Sequence, residues 1–171
     1  PEMGKDVHRL ERIAERFSKI GSAPELTPED VNVSLSRVAE YIGHRTSDRV
    51  SIVCHYTDHP IEVPMNSPLF EWVVENLFKN AVDAMDGAGS ITTDIIPAGD
   101  KVCIDITDTG KGIPKSHWKN VFSPGFTTKK RGWGLGLSLA KRIIEEYHDG
   151  HIYVRRSEPG AGTTFRIELR C

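Results

Sequence analysis

The sequence predicts an α/β two-layer sandwich: a mixed, mostly antiparallel sheet packed on helices, preceded by one amphipathic helix. Three observations carry this. Val50–Tyr56, Ser90–Ile96, Lys101–Thr107, Ile152–Arg156 and Thr163–Leu169 are β-rich and largely alternating, the signature of half-buried strands. Two of the connections, Pro97-Ala98-Gly99-Asp100 and Pro159-Gly160-Ala161-Gly162, are short and rich in turn residues, which predicts antiparallel hairpins. Helical periodicity over Val33–Ile42, Pro68–Met85 and Gly134–His148 interleaves with the strands, so helices cover one sheet face and leave the other partly solvated.

The elements follow in order. Within residues 3–20, Val7, Leu10, Ala14 and Phe17 alternate at spacings of three and four, Met3 and Ile20 extend the stripe, and charged residues fill the other faces. That narrow seam belongs to a bundle or coiled coil, and a lone helix of this size is marginal in water, so it wants a partner. Gly21-Ser22-Ala23-Pro24 then carries the Gly-then-Pro stop signal. The expected division is a helix over 1–22, a linker over 23–31 and a globular domain over 32–171. In that domain Pro68–Met85 is the strongest amphipathic helix, and Gly150 stops the last one.

Composition bounds the function. The chain has 171 residues, with 22 Lys and Arg against 24 Asp and Glu and a net charge of −2. That suits one ordinary domain with a short appendage; it excludes low-complexity and collagen-like sequence and gives no whole-chain reason to bind nucleic acid or a membrane. Cys54, Cys103 and Cys171 lie far apart with no CxxC, so neither a zinc site nor a disulfide framework is indicated, and a reducing, cytoplasmic setting fits. No apolar run approaches the roughly 20 residues that span a bilayer, and the chain reads as a soluble piece of something longer. Charge is nevertheless uneven. Thr109 to Ile144 holds eight basic side chains (Lys111, Lys115, Lys119, Lys129, Lys130, Arg131, Lys141, Arg142) and no Asp or Glu, a field that attracts a polyanion.

Four segments carry chemistry. In Glu75–Met85, Asn76, Asn80 and Asp83 fall at i, i+4 and i+7 on one helix face. Asn is a mediocre helix former, so this face either lines a cleft or meets solvent. Asp108-Thr109-Gly110-Lys111-Gly112 follows an apolar strand; an Asp there can accept from an exocyclic amine, and glycines let a backbone approach a flat ligand. Val121–Arg131 mixes aromatics, Gly and Pro with a basic run, as a loop carrying charge does. Gly132-Trp133-Gly134-Leu135-Gly136-Leu137-Ser138 opens a helix, and a glycine-rich helix start offers free N–H groups and the positive dipole end to phosphate. Neither the P-loop nor the Rossmann pattern is matched.

In this order and spacing the four segments resemble the ATP-binding domain of sensor histidine kinases, within the wider gyrase, heat-shock chaperone, histidine kinase and MutL ATPase superfamily. The resemblance runs from Asn32 to Leu169 and implies the Bergerat-type ATP-binding fold. Glu75–Ala81 is similar to the N box, Asp108–Gly112 to the first G box, Phe122–Lys129 to the F box, Gly132–Leu137 to the second G box, and Gly162–Phe165 to the GTxF strand. The resemblance implies that Asp108 binds the adenine amino group, with Gly110 and Gly112 in the same loop, Gly112 under the ring and Thr163 supporting the pocket. It implies that Asn80 holds Mg²⁺ between the phosphates and that Asn76 faces them. Thr127, Thr128, Lys129, Gly132, Gly134, Leu135, Gly136 and Leu137 would form the lid and its phosphate contacts. Glu75 matches an acid sometimes assigned as a base, although phosphoryl transfer to imidazole needs little base help. Two departures stand out. Gly125 replaces a frequent second Phe, and Asp83 stands where many relatives carry a phosphate-touching Lys or Arg, so that contact would come from Lys79 or the lid lysines.

By the same resemblance, residues 3–20 are similar to the second helix of a dimerisation hairpin whose first helix carries the acceptor His. His8 lacks the following acid and Pro of that motif, so the acceptor is expected outside this chain. The implied function is an ATP-dependent protein histidine kinase of a two-component system: ATP and Mg²⁺ as cofactors, phosphoryl relay to a response regulator, and a homodimeric, membrane-anchored parent. The alternatives are an anti-sigma-factor-type serine kinase and a non-catalytic nucleotide-binding module of the same superfamily.

Overall fold

The structure, a computed structural model, describes Arg12 and residues 23–129 and 134–171. Apart from Arg12, the expected helix over 3–20, and with it His8, therefore lies outside the described residues, as do Lys130, Arg131 and Gly132. The described elements run β1 (Thr27–Asp30), α1 (Val31–Gly43), β2 (Val50–His55), β3 (Glu62–Met65), α2 (Ser67–Ala84), β4 (Gly89–Ala98) and β5 (Lys101–Asp108). Two 3-10 turns (Lys115–His117 and Asn120–Phe122) follow, then α3 (Gly136–Arg142) leading into a π-helical turn (Ile143–Tyr147), β6 (His151–Glu158) and β7 (Gly162–Arg170).

The sheet forms because its strands alternate. In β5, Val102, Ile104 and Ile106 pair across to Leu169, Ile167 and Phe165 of β7, and all six are buried. The strand order is β2-β4-β5-β7-β6, antiparallel throughout except for the parallel β2–β4 edge pair. Such a mixed sheet under helices is the architecture expected from the sequence. The opposite face is polar, and Asp105 is buried there, held by Arg155 Nη1 at 2.6 Å and by Arg166 through Nε at 2.6 Å and Nη2 at 2.8 Å. A buried carboxylate persists only when paired in this way.

Helix α2 is the axis of the second layer. The Asn66 side chain accepts from Leu69 N at 3.2 Å, and Pro68 sits in the first turn, the start that Asn and Pro each favour. Leu69, Phe70, Val73, Val74, Leu77, Phe78 and Ala81 make one buried stripe, each large side chain contributing roughly 1.5–3 kcal/mol by leaving water. The stripe leaves Asn76, Asn80 and Asp83 at its margin, where the first two are half-buried and Asp83 is exposed. Past Met85, Asp86 and Gly87 take positive φ values of 50° and 76°, which ends the helix.

Three local expectations change. Residues 27–30, placed in the linker, form β1 and pair antiparallel with β3; Pro28 stands opposite Pro64, and proline in such short runs masks strand character. The first hairpin is tighter than expected: Ala98 pairs with Lys101, leaving Gly99-Asp100 as the turn, with Gly99 at φ 68°. The helix expected over Gly134–His148 is α-helical only to Arg142 and then widens into a π turn. The buried His148 explains the widening, because its Nδ1–H donates to Ile143 O at 2.9 Å while its Nε2 accepts from Asn66 N at 3.1 Å. The ring thus ties the end of this helix to the start of α2, and burial pushes its pKa below the ordinary histidine value.

Candidate nucleotide-binding site

The end of α2 and the loop after β5 meet directly. Lys111 N donates to Ala84 O at 2.9 Å, and a Cβ at Gly110 would lie 2.6 Å from the same carbonyl oxygen. On the other side, Gly160 N donates to Lys111 O at 2.7 Å. Gly112, at φ 78°, has no room for a Cβ, which would fall 2.1 Å from Glu158 O. Glycine is therefore required at 112 by packing against the β6–β7 turn, whatever lies over it.

Within this frame Asp108 is 5% exposed. Its Oδ1 accepts from Gly110 N at 2.8 Å and Thr163 N at 3.3 Å. Neither bond uses Oδ2, which keeps its lone pairs for a donor. Burial pushes the Asp108 carboxyl above the usual carboxylate range, and the two N–H bonds pull it partly back. Thr163 is fixed by Ser157, whose Oγ lies 2.8 Å from Thr163 Oγ1 and accepts from Ile113 N at 2.7 Å. Ser157 escaped the sequence reading: it sits past the register shift in β6, and one serine near a strand end gives no signal.

The other half of the site lies along α2. Asn76 Nδ2 is buried with no hydrogen-bond partner among the described residues. Its amide sits against the start of α3, where a Cβ at Gly136 would fall 2.5 Å from Asn76 Oδ1. Leu135 provides no side-chain cap for α3, so the first-turn N–H groups at Gly136 and Leu137 have no intrahelical acceptor. Leu135 itself is half-buried. Gly134, at φ 66°, accepts from Gly125 N through its carbonyl at 2.9 Å. An orphaned buried donor beside uncapped amide groups is a setting for an anion.

One turn further on, Asn80 Oδ1 accepts from Lys129 Nζ at 2.9 Å, and the same ammonium lies 2.6 Å from Asp83 Oδ2. Thr127 Oγ1 accepts from Lys129 N at 3.0 Å, and Thr128 Oγ1 from Lys111 Nζ at 3.3 Å. The Thr127–Lys129 stretch is thus tied both to the loop after β5 and to α2. Glu75 is paired with Lys79 at 2.7 Å, which engages the acid expected as a base and one lysine expected to reach phosphate. The basic block is also partly neutralised: Lys141 lies 4.0 Å from Glu145, and Arg142 lies 3.2 Å from Glu146. Of that block, the Lys111 ammonium reaches Thr128 in the Thr127–Lys129 stretch, and the Lys129 ammonium reaches across to α2.

Among the described residues no group of three His, Cys, Asp or Glu could hold a metal, and no helix is long and apolar enough to cross a membrane. Asn80 Oδ1, already facing a cation, is a hard oxygen donor of the kind magnesium shares with phosphates and water. The residues therefore fit a metal carried by a nucleotide rather than one caged by protein.

Comparison with known proteins finds relatives over most of the chain. Residues 65–171 match the family model for histidine kinase-, DNA gyrase B- and HSP90-like ATPases. Sensor histidine kinase ZraS of Salmonella typhi is 32% identical over 172 residues, an alignment spanning 98% of this chain and 36% of ZraS. The catalytic domain of histidine kinase ThkA superposes with a TM-score of 0.78 at 27% identity, covering 86% of this chain and 96% of that domain. ThkA in complex with the response regulator protein TrrA matches with a TM-score of 0.76 at 25% identity, over 98% of this chain and 48% of that one. The chain spans little more than a third of the curated relative's length. The match over the segment that holds α2, the Asp108 loop and the strands around them means that this chain belongs to the family of histidine kinase-, DNA gyrase B- and HSP90-like ATPases.

Proposed function

We propose that this chain is the catalytic, ATP-binding portion of a sensor histidine kinase, binding Mg-ATP between α2, the Asp108 loop and the start of α3. The observation that carries the reading is a buried Asp108 whose Oδ2 has no partner among the described residues, together with a buried Asn76 amide, likewise unpartnered there, against Gly136. One end accepts an amine and the other donates to an anion, as adenine and a polyphosphate require. Asp108 Oδ2 accepts from the adenine amino group, while Thr163 and Ser157 hold that carboxylate in place. Asn76 Nδ2 and the N–H groups of Gly136 and Leu137 donate to the phosphates, with Thr127, Thr128 and Lys129 over them. Asn80 Oδ1 would hold Mg²⁺, which when bound offsets charge on the transferring phosphoryl group. Positioning and charge compensation supply most of the acceleration in such transfers, which leaves Glu75 with no required proton to move.

The proposed acceptor is a His on a dimerisation helix outside this chain, with relay to a response regulator of the kind bound by ThkA in its complex. We place the amino-terminal 1–22 segment as the helix leading from that hairpin. The kinase names of the relatives favour this over a serine kinase or a non-catalytic module. The test mixes the chain with a hairpin carrying the acceptor His and labelled ATP. Transfer is expected to the His, and Asn80→Ala is expected to retain part of the nucleotide binding while losing transfer. No label on the hairpin with wild type, or full transfer with Asn80→Ala, would overturn the assignment.

A further inference from the structure

Asn80 and Asp83 are three residues apart on α2, close enough on one face for a single group to reach both. That group is the ammonium of Lys129, 2.9 Å from Asn80 Oδ1 and 2.6 Å from Asp83 Oδ2. An ammonium has three hydrogens and can bridge two oxygens at once. A divalent cation on Asn80 Oδ1 and an ammonium hydrogen-bonded to that oxygen are like charges at one place, so they exclude each other. Resting on the nucleotide reading above, we propose that Lys129 is an internal counter-cation of this site: held on Asn80 by Asp83, it competes with the metal of Mg-ATP and leaves Asn80 when the nucleotide binds.

Three features support the assignment. Asp83 is an exposed acid on the same margin of α2 as Asn76 and Asn80, and an acid there repels phosphate unless a cation covers it. Lys129 is delivered from the Thr127–Lys129 stretch, not from the helix, because Lys129 N is held by Thr127 Oγ1 and Thr128 is held by Lys111. The pair also remains reachable by water, with side-chain exposures of 37% for Lys129 and 45% for Asp83. It is weak enough to be exchanged and sensitive to salt. Once displaced, the ammonium is free to face the phosphates, so the same side chain covers the site in both conditions.

The experiment measures Mg-ATP affinity by calorimetry for wild type, Asp83→Asn, Lys129→Met and the double variant, at low salt and near 1 M salt. It also follows the ¹⁵Nζ resonance of Lys129 in the free chain. Asp83→Asn is expected to tighten Mg-ATP binding about two- to fivefold at low salt, the size of an exposed ion pair. The gain should shrink in high salt and be smaller on the Lys129→Met background, because the competitor is already gone there. The Lys129 resonance is expected to shift on Asp83→Asn and again on adding Mg-ATP. If Asp83 merely repels phosphate, its replacement tightens binding at least as much without Lys129, and the proposal fails. An Nζ resonance indifferent to Asp83→Asn also overturns it. Absence of Mg-ATP binding in wild type would instead overturn the nucleotide reading on which the proposal rests.

Discussion

Asp108→Asn separates ligand recognition from folding. The substitution keeps shape and removes charge. In the fold Oδ1 serves Gly110 N and Thr163 N, and the asparagine oxygen can accept from both, more weakly than the carboxylate, so those donors orient the amide with its nitrogen where Oδ2 was. An amine donor arriving from adenine then meets another donor. A hydrogen bond to a charged group contributes about 1.5–3 kcal/mol, so affinity for Mg-ATP should fall by roughly 10- to 100-fold or more. Stability should move the other way. Burial raises the Asp108 pKa above 3.8, so between 3.8 and the raised value the native state binds more protons than the unfolded chain. Stability therefore falls as pH rises through that window. The wild-type carboxylate costs stability at neutral pH, and the variant avoids that cost. Calorimetry with Mg-ATP and thermal melts of the ligand-free chain check both limbs. Unchanged affinity, or a melting temperature that drops along with affinity, would refute the reasoning.

His148 makes acid destabilising. Its folded pKa lies below 6.5, so the unfolded chain binds more protons as pH falls from about 6.5, and stability drops by up to roughly 1.4 kcal/mol per pH unit. Urea midpoints from about pH 7.5 to 5.5 should show this slope, and His148→Gln should flatten it. Gly136→Ala places a Cβ 2.5 Å from Asn76 Oδ1 and displaces that amide. Mg-ATP affinity should fall about tenfold, roughly 1.4 kcal/mol, with little change in melting temperature, since Ala favours the helix. Asp105→Asn on the far face should leave nucleotide affinity unchanged. It should cost about 2 kcal/mol in chemical denaturation, less than a fully buried pair because Arg155 is 48% exposed.

The elements legible in the sequence were those whose periodicity is local. Pro68–Met85 and the strands of both hairpins carry their pattern in consecutive residues, and α2 buries the stripe that its spacing predicts. The β1–β3 ribbon was not legible, because four-residue strands containing Pro28 and Pro64 look like loop until their partner is known. The π turn was also hidden, since it depends on a bond from the His148 side chain. For the candidate site, residue types alone singled out Asp108, Asn76 and Asn80 as candidates. Ser157, and the occupation of Glu75 and Lys79 by each other, needed coordinates.

The sequence alone determined the fold class, the order of the segments and the chemistry each can offer, because amphipathic period, turn residues and donor or acceptor character are properties of short stretches. Tertiary structure decided which of those groups are uncommitted. Among the described residues it left Asp108 Oδ2 and Asn76 Nδ2 unused, paired Lys141 and Arg142 with neighbouring acids, and brought Lys129 across 46 residues of sequence to Asp83. Charge counted along the chain describes supply. Only packing, by choosing partners and excluding water, sets which charges face a ligand.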